Sequence, residues 1–575
     1  MKKIVVILCI LALAKLTGCA TLQLDDTGIT DTQIRNLQKL CKVWGFVKYN
    51  HYTFISGNSD WDDDLLYLLP IVYASNEDDV NYILYNWVVG LGNTHADLNW
   101  NSVMAHVDML ATLDIRISPD FTWIADVDYL GESLSAALLE LKNVSILTDR
   151  SAAPVYFDEH GRSRFSNQKR HEDMHFNNDW YRLLGLFRLW NAIRYYFPHT
   201  DIMDRDLCTL LLEYIPKMLK GDCQHSYELT LASFAAHLHD AHVLFTSPIL
   251  SNEFGWYVAP VRIARVEGAF VVEEILSELF PTQLEPGDVL LSLDGVDIED
   301  RLAALKRYAS IPSDEKIIRI LGRYILRTHT SSMNVGVLRE YDLLNLHVEA
   351  FNIDILDNGG HFPHRPNRAY RSFERLENNI GIINPPFLAF NAIHGMMRGL
   401  ADTYGLIIDL RQAPAQFIVG MAEYLLYEEQ PAFIAASPIP FVPGMFADRV
   451  IYSGGAQSHS SFLYEQPVVI LMDELTMSHM ETAVMWLRNG KNVTVMGSNS
   501  IGANGDVTIL PLPGGFDIMF TGLGIFTPDG GQTQRIGLSP DIYIERTIAG
   551  IRNGWDESKE AAIRFIENSL SLDEY

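Results

Sequence analysis

Cysteine is scarce in this chain of 575 residues, which contains only five. Cys9 and Cys19 lie close to the N-terminus, and Cys41, Cys208 and Cys223 are scattered along the rest of the chain. Three scattered cysteines form neither a disulfide framework nor the ligand spacing of a zinc site. A Cys208–Cys223 bridge is compatible with an oxidising compartment, but we expect these two residues to be buried free thiols.

Positive charge is also in short supply. The chain has 44 lysines and arginines against 72 acidic residues, a formal net charge of −28. No basic cluster offsets this charge, so we expect no nucleic-acid partner. The sequence contains no metal-ligand spacing and no phosphate-binding loop, so we expect neither a metal nor another cofactor. With 48% hydrophobic and 20% charged residues, the chain is globular and long enough for several domains.

The N-terminus has the pattern of a targeting segment. Lys2 and Lys3 precede an apolar run, residues 4–13, that is too short to span a bilayer but suits a signal peptide. The Leu-Thr-Gly-Cys motif that ends at Cys19 resembles the bacterial lipobox, in which cleavage before the cysteine leaves it to be acylated. The resemblance implies a signal peptide over residues 1–18 and an exported protein anchored by lipid in the cell envelope. An ordinary signal peptide with an incidental cysteine is the alternative.

Two helix-periodic segments repeat each other. Residues 37–49 align with residues 183–195, and in both leucine, tryptophan and other aromatic residues recur at helical spacing. A short histidine motif closes each unit, with His95 in the first and His242 in the second. We expect the tryptophan and aromatic positions to pack in a core, whereas the two histidines are candidates for function.

These repeats organise the N-terminal part of the chain. We predict a helical repeat over residues 19–99 and a second repeat, acting as a cap, over residues 179–252. Residues 100–178 are predicted to form a β-rich segment and a polar linker, because residues 113–117 and 121–124 alternate in the manner of strands.

A change of pattern marks residues 253–350. Residues 284–295 combine a Pro-Gly-Asp turn, a buried strand and an Asp-Gly hairpin turn. This stretch resembles the signature of the PDZ domain, and the resemblance implies a groove in which an extended peptide adds a strand to a sheet. A small β domain without a ligand is the alternative.

Residues 378–570 alternate apolar runs with helical stretches. Such runs are typical of the buried strands of an α/β sheet. The runs are residues 380–383, 405–410, 467–472 and 493–496.

Ser478 follows one of these predicted strands and precedes an apparent helix. A serine at a strand-to-helix turn is exposed at the edge of a sheet, where backbone N–H groups also point at a substrate. The helical cap, the PDZ-like module and the α/β domain, with Ser478-x-x-Glu481 after a strand, resemble the C-terminal processing (tail-specific) serine peptidases and their tricorn-like relatives. Further matches are Gly497 and Gly502 after the next strand and the motif Gly537-Leu-Ser-Pro-Asp541. The resemblance implies that Ser478 is the nucleophile and that Glu481 helps to order the site.

The chain departs from the tail-specific branch at the catalytic lysine, whose position is taken by Ala503. The tricorn-like branch uses a histidine of the cap instead, and His242 has the matching position. A neutral imidazole can take the serine proton and return it to the leaving amine. The acidic residue that orients the histidine in that branch should fall near Gln534, which can position a histidine but cannot stabilise its charge. Asp240 is too close to His242 in the sequence to be assumed as a substitute for this acid.

The oxyanion site is the second departure. The family's glycine pair is replaced by Gln412-Ala-Pro-Ala415, in which Pro414 has no N–H to donate. The resemblance therefore implies the backbone N–H of His479 as one donor and that of Ala413 or Ala415 as the other.

The predicted fold is a multidomain α+β protein with a helical repeat cap, a PDZ-like β domain and an α/β peptidase-like domain. We favour an exported serine endopeptidase that captures peptides or unfolded segments in the PDZ groove and cleaves them through an acyl-enzyme at Ser478. Ala503, Gln534 and Pro414 leave open a degenerate peptidase that binds a peptide or another ligand without cutting it. A structural protein of the envelope is a third interpretation.

Overall fold

The computed structural model describes residues 28–92, 108–143, 150–276, 279–358, 372–385, 392–411, 418–454 and 462–572. Helices predominate before residue 237 and strands after residue 256, so the protein is a mixed helix and sheet structure. The predicted signal peptide with Cys19, the motif with His95 and the loop with Pro414 and Ala415 lie outside the described residues.

The N-terminal part is mainly helical. Its helices are α1 (Asp31–Asn50), α2 (Tyr52–Ile55), α3 (Trp61–Ala74), α4 (Glu77–Gly90), α5 (Val127–Asn143), α6 (Asp179–Tyr196), α7 (Leu207–Lys220), α8 (Gln224–Ala236) and α9 (Ile249–Phe254). Its strands are β1 (Asp114–Ile117), β2 (Tyr156–Phe157), β3 (Ser163–Arg164) and β4 (Leu244–Phe245). Apolar side chains from most of these helices are buried in one core.

Helices α1 and α6 make the same contact with a later helix, α1 with α3 and α6 with α7. The indole N–H of Trp44 donates to the carbonyl of Trp61, the first residue of α3, over 2.7 Å. The indole N–H of Trp190 donates to the carbonyl of Leu207, the first residue of α7, over 2.8 Å. Helices α3 and α7 both have 14 residues, an aspartate N-cap and an internal proline. The repeated sequence therefore forms a repeated helix pair.

The two units meet at equivalent positions. A Cβ atom at Gly45 of α1 would lie 1.7 Å from Oδ1 of Asn191 in α6, so only glycine allows this approach. The Asn191 amide donates to the carbonyl of Cys41 over 3.1 Å.

Residues 261–349 contain an antiparallel sheet. Its strands lie in the order β12-β11-β8-β7-β6, and β9 pairs with β8. Asp294 and Gly295 join β8 to β9 with φ of 49° and 80°, which is the positive-φ pattern of the predicted hairpin turn. Helix α11 packs against the edge strand β6. The elements are β5 (Tyr257–Val258), β6 (Val261–Val266), β7 (Ala269–Ile275), β8 (Val289–Leu293), β9 (Val296–Asp297), α10 (Ile298–Lys306), α11 (Ile317–Ile325), β10 (Arg327–Thr328), β11 (Ser332–Arg339), β12 (Asp342–Glu349), β13 (Phe351–Asn352) and α12 (Ile353–Asn358).

A mostly parallel sheet forms the core of the C-terminal part, in the order β14-β15-β16-β19-β20-β24. Strands β15 to β24 of this order are parallel, and β14 pairs antiparallel with β15. All residues of β15, β16 and β19 are buried, as their continuous apolar runs predict. The elements are β14 (Phe373–Arg375), β15 (Ile380–Ile383), α13 (Ile393–Gly399), β16 (Gly405–Asp409), α14 (Ala422–Leu425), β19 (Val468–Met472), α15 (His479–Leu487), β20 (Val493–Gly497), β24 (Ile542–Tyr543), α16 (Ile548–Asn553) and α17 (Glu557–Leu572).

Two smaller sheets connect the distant parts of the chain. One has the order β1-β18-β17-β23 and the other β21-β22-β4, so each contains one strand from the N-terminal part. The hairpin of β21 and β22 buries Leu510, Ile518 and Phe520 in the same core as the N-terminal helices. The remaining strands are β17 (Gln430–Pro438), β18 (Phe446–Ser453), β21 (Val507–Leu512), β22 (Phe516–Thr521) and β23 (Gly524–Phe526).

The prediction of a β-rich segment over residues 100–178 is wrong for its largest element, because α5 lies there. Strand β1 is present, but residues 122–125 form a 3-10 helix where a strand was expected. The reason is helical spacing further along: Leu130, Leu134, Leu138 and Leu141 recur every three or four residues, and α5 buries all four in the core.

The three described cysteines are free thiols, as expected, but only Cys41 is buried. Cys208 is half-buried, and Cys223, the N-cap residue of α8, is exposed. Among the residues that the structure describes, no helix combines the length and the apolar character needed to cross a membrane.

Candidate active site

Ser478 lies in the turn between β19 and α15. It is the N-cap residue of α15, with φ 57° and ψ −122°, a conformation that is strained for any residue other than glycine. Its N–H lies 2.9 Å from the carbonyl of Ala503 and 3.1 Å from Oε2 of Glu481. The side chain is half-buried. The sharp, strained strand-to-helix turn is the geometry that presents a nucleophilic serine in α/β hydrolases.

Glu481 is a buried carboxylate that holds this turn against the loop after β20. Besides the Ser478 N–H, it accepts the N–H of Gly502 (2.9 Å), the N–H of Ala503 (3.2 Å) and the hydroxyl of Ser500. Burial raises the pKa of Glu481, and these hydrogen bonds oppose the rise. The carboxylate therefore fixes the shape of the turn and of the loop at the same time.

His242 is buried in the loop between α8 and β4. Its Nδ1 lies 2.8 Å from Oγ1 of Thr521, whereas its Nε2 has no hydrogen-bond partner among the described residues. Burial lowers the pKa of His242, the Asp240 carboxylate opposes this change, and the Arg319 guanidinium reinforces it. The imidazole is therefore neutral at pH 7 and available to accept a proton. The structure contains no Ser478–His242 hydrogen bond.

One small apolar cluster joins the segments that carry Ser478 and His242. Ala241, Ile501 and Ala503 are its buried members, and Met477 packs against them. His242 directly follows Ala241, and Ser478 directly follows Met477. The structure thus brings together the two segments, although Ser478 and His242 are 236 positions apart in the sequence.

Gln534 is buried as well, but its described contact is with Asp240. Its Nε2 donates to Oδ1 of Asp240 over 3.1 Å. Asp240 is fully buried and lies 3.8 Å from Nδ1 of His242, measured from Oδ1. The acidic neighbour of the histidine is therefore the residue two positions before it, which sequence reasoning had set aside as too close.

Thr521, at the end of β22, is the residue that sequence reasoning missed. Its hydroxyl bonds to His242 and donates to Oδ1 of Asp240 over 2.9 Å, and its N–H donates to Oδ2 of Asp240 over 2.8 Å. A threonine in a strand is ordinary, so only the three-dimensional contact reveals it.

A second buried histidine, His199, lies near this group. Its ring contacts those of Phe197 and Phe526, and neither ring nitrogen has a hydrogen-bond partner among the described residues. Burial lowers the pKa of His199 to about 4; the nearby Asp240 carboxylate opposes this effect, and His242 adds to it.

The position of the missing lysine is closed to a side-chain base. Ala503 is fully buried, and its N–H is bonded to Glu481. A buried lysine from the preceding domain, Lys316, comes near Glu481, but its ammonium donates to the carbonyls of Arg535 and Ile536. Burial lowers the pKa of Lys316 to about 8, and the Glu481 carboxylate opposes this shift.

His479 is the first residue of α15, and its side chain is exposed. Its N–H is one of the two predicted oxyanion donors. The other, from Ala413 or Ala415, lies outside the described residues, so the oxyanion site stays a prediction.

A groove leads toward the turn of Ser478. It runs between β6 and α11, with Ile263 and Gly322 among its lining residues, and reaches Glu474 and Leu475 just before Ser478. Within the described part of the chain, no cluster of three or more His, Cys, Asp or Glu side chains is arranged to hold a metal ion.

Comparison with known proteins shows what this arrangement is similar to. Residues 389–544, which include Ser478, match the model of peptidase family S41. The carboxy-terminal-processing protease of Bartonella bacilliformis is 29% identical over 92 residues, which are 16% of this chain and 21% of that protein. The chain thus matches about a fifth of the length of this curated relative.

Among solved structures, mature CPAF complexed with lactacystin aligns with a TM-score of 0.51 and 13% identity, covering 68% of this chain and 99% of that one. A CPAF mutant aligns with a TM-score of 0.53 and 13% identity, covering 68% of this chain and 96% of its own. At this identity the likeness shows a common fold. The resemblance to the C-terminal processing peptidases is supported, whereas the tricorn-like branch, the PDZ domain and the lipid anchor stay predictions.

Proposed function

We propose that the protein is a serine peptidase in which Ser478 is the nucleophile and His242 is the general base. The observation that carries this proposal is a serine in a strained strand-to-helix turn, joined through one apolar cluster to a buried histidine whose Nε2 has no hydrogen-bond partner among the described residues. The S41 match over the segment that contains Ser478 supports the same reaction class.

In the proposed mechanism, Nε2 of His242 takes the proton of the Ser478 hydroxyl as the oxygen attacks the peptide carbonyl. The imidazolium then gives this proton to the leaving amine, and an acyl-enzyme remains on Ser478. Water, deprotonated by the same imidazole, hydrolyses the ester. Asp240 stabilises the transient imidazolium, since its carboxylate lies 3.8 Å from Nδ1.

The groove between β6 and α11 is the proposed PDZ-type site for an extended peptide. Strand β6 is at the edge of its sheet, so a peptide can add to it as a further strand. Because the groove reaches Leu475, a bound segment would be delivered close to Ser478. Substitution Gly322→Leu, which fills the groove, should raise KM for an unstructured protein much more than for a short peptide.

The cell envelope is the proposed location, with a lipid on Cys19 as the anchor. Mass spectrometry of the N-terminal peptide tests this directly, because acylation adds a defined mass to Cys19. The Cys19→Ala variant should leave the membrane fraction, and a variant that stays there would contradict the lipid anchor.

The decisive experiment is cleavage of an unstructured protein and of a peptide library. The wild type should cleave, whereas Ser478→Ala and His242→Ala should lose cleavage by at least about 10³-fold. His237→Ala is the matched control, since this half-buried histidine precedes the same loop and bonds to Tyr214.

The alternative is a peptide-binding protein on the same scaffold. The absent Ser478–His242 hydrogen bond and Ala503 in the place of the family's lysine favour it. Peptide binding by both wild type and Ser478→Ala, with no cleavage by either, would establish this function in place of the peptidase.

A further inference from the structure

His242, Thr521, Asp240 and Gln534 form one buried hydrogen-bonded group. Thr521 lies between His242 and Asp240, with its Oγ1 2.8 Å from Nδ1 of His242 and 2.9 Å from Oδ1 of Asp240. The direct distance from Nδ1 to Oδ1 is 3.8 Å, too long for a hydrogen bond. The hydroxyl therefore separates the histidine from the acid.

The direction of each hydrogen bond follows from the donors around Asp240. The Asp240 carboxylate also accepts the backbone N–H of His242 (3.1 Å), the backbone N–H of Thr521 (2.8 Å) and the side-chain NH₂ of Gln534 (3.1 Å). All three groups can only donate. Among these donors Asp240 acts as an acceptor, so the single hydroxyl proton of Thr521 points to Asp240. The Thr521 oxygen then has only lone pairs to offer to His242.

We propose that Thr521 and Asp240 are positioning residues that hold His242 in the tautomer with the proton on Nδ1 and the lone pair on Nε2. Nδ1–H donates to Thr521, which donates to Asp240, and Nε2 is left as the base. This inference rests on the proposed function for its catalytic meaning, since Nε2 is the atom that would deprotonate Ser478.

Gln534 has a different task from the acid that the family resemblance implies at its position. Its amide donates to the carboxylate of Asp240, and so it helps to fix the orientation of that acid. An acidic residue at position 534 would bring two carboxylates together in a buried site, where like charges repel strongly. Restoring the expected acid should therefore harm the site.

Other titratable and charged groups also influence the pKa of His242. Arg319 of α11 and Asp506, just before β21, act on it together with Asp240. His199 interacts electrostatically with Asp240 and His242, and Arg116 of β1 interacts with His199. Replacement of Thr521 by valine keeps all of these charged groups and removes one hydrogen bond of Asp240.

The first test is the tautomer of His242, measured by ¹⁵N NMR of the imidazole ring in the Ser478→Ala protein at pH 7.5. The His242 signals are those that disappear in the Ser478→Ala, His242→Gln double variant. We expect protonated Nδ1 and unprotonated Nε2. Thr521→Val should abolish this preference, and Thr521→Ser should keep it.

Thr508→Val is the matched control. Thr508 is a buried threonine on the neighbouring strand β21, but its hydroxyl bonds to Ser163. The variant loses a buried hydroxyl of the same kind and should leave the His242 tautomer unchanged. A proton on Nε2 in the parent protein, or an unchanged tautomer in Thr521→Val, would overturn the inference.

The second test is kinetic. Thr521→Val should lower kcat by roughly 10²-fold with little change in KM and shift the pH profile of kcat/KM, whereas Thr521→Ser should restore most of the rate. Gln534→Glu should lower kcat; an increase would contradict the role given to Gln534. Should the wild type cleave nothing while the NMR result holds, the proposed function fails and the positioning group stands, because the tautomer is read without turnover.

Discussion

The backbone of Ser478 is strained, and the strain would be the same for any side chain other than that of glycine. With φ 57° and ψ −122°, the turn suits glycine, whereas alanine would keep the strain of the wild type. We therefore expect Ser478→Gly to be more stable than Ser478→Ala by about 1 kcal/mol, although both lack the hydroxyl. Urea denaturation of the two variants measures the difference. Equal stability would mean that the turn relaxes in solution.

His199 should make the protein sensitive to mild acid. Its pKa is about 4 in the fold, whereas an exposed imidazole titrates near 6.5. Between these values the unfolded chain binds a proton that the folded protein does not. The contribution of His199 is therefore complete above pH 6.5 and is lost as the pH falls to 4, by about 3 kcal/mol.

His199→Phe keeps an aromatic ring between Phe197 and Phe526 and removes this titration. The free energy of unfolding, measured from pH 7.5 to 4.5, should fall less steeply in the variant than in the wild type. The pKa values of His51 and His242 are also lowered by burial, so part of the slope should remain. An unchanged slope would contradict the assignment to His199.

At the residue scale, the sequence predicted the positions that lie in a local motif and missed those that meet through folding. Ser478 and Glu481 are one helical turn apart, and their contact could be expected from spacing. Thr521 reaches His242 across 279 positions, and no local pattern marks it. Asp240 was set aside because a neighbour two positions away was not expected to orient the histidine, and the Thr521 hydroxyl supplies the missing connection.

Among the secondary-structure elements, the two tryptophan contacts provide an internal comparison. Trp44→Phe and Trp190→Phe each remove one buried N–H donor. The carbonyl of Trp61 loses its indole donor in the first variant, and the carbonyl of Leu207 loses its donor in the second. Each should lower the free energy of unfolding by about 1 to 3 kcal/mol, and by similar amounts. Chemical denaturation measures both. If one variant were as stable as the wild type, the two contacts would not be equivalent.

The strands of the parallel sheet were predictable because each is a short apolar run buried on both faces. Ile380–Ile383 is found as predicted, and β16, β19 and β20 differ from their predicted runs by one residue at an end. Helix α5 was missed because the strand-like alternation at residues 113–117 was extended too far along the chain. Its leucines carry a helical period that only the full segment reveals.

At the scale of the whole molecule, the N-terminal helices and the hairpin of β21 and β22 share one core. We therefore expect that the C-terminal part cannot fold stably without the N-terminal helices. A fragment of residues 372–572 would expose Leu510, Ile518 and Phe520, which are buried in the intact protein. We expect this fragment to lack cooperative unfolding and to aggregate. Near-UV circular dichroism and thermal unfolding of the purified fragment test this. A monomeric fragment with a sharp transition would contradict the shared core.

This shared core could not be read from the sequence. Composition changes along the chain suggested successive units, and each unit has local patterns of its own. The contacts of β4 with β22 and of β1 with β18 join residues more than 250 positions apart, and such pairings leave no periodic signal. The order of the units along the chain could therefore be predicted from the sequence, whereas the strand pairings between the units could not.

Gly45 and Asn191 have a consequence for the history of the two helical units. They hold the same place in the repeat, and they face each other where α1 passes α6. A symmetric dimer of identical chains would put the same residue on both sides: two asparagines would collide, and two glycines would lose the bond to Cys41. Once both copies lie in one polypeptide, each can mutate alone. The present contact therefore requires two different residues at the two equivalent positions.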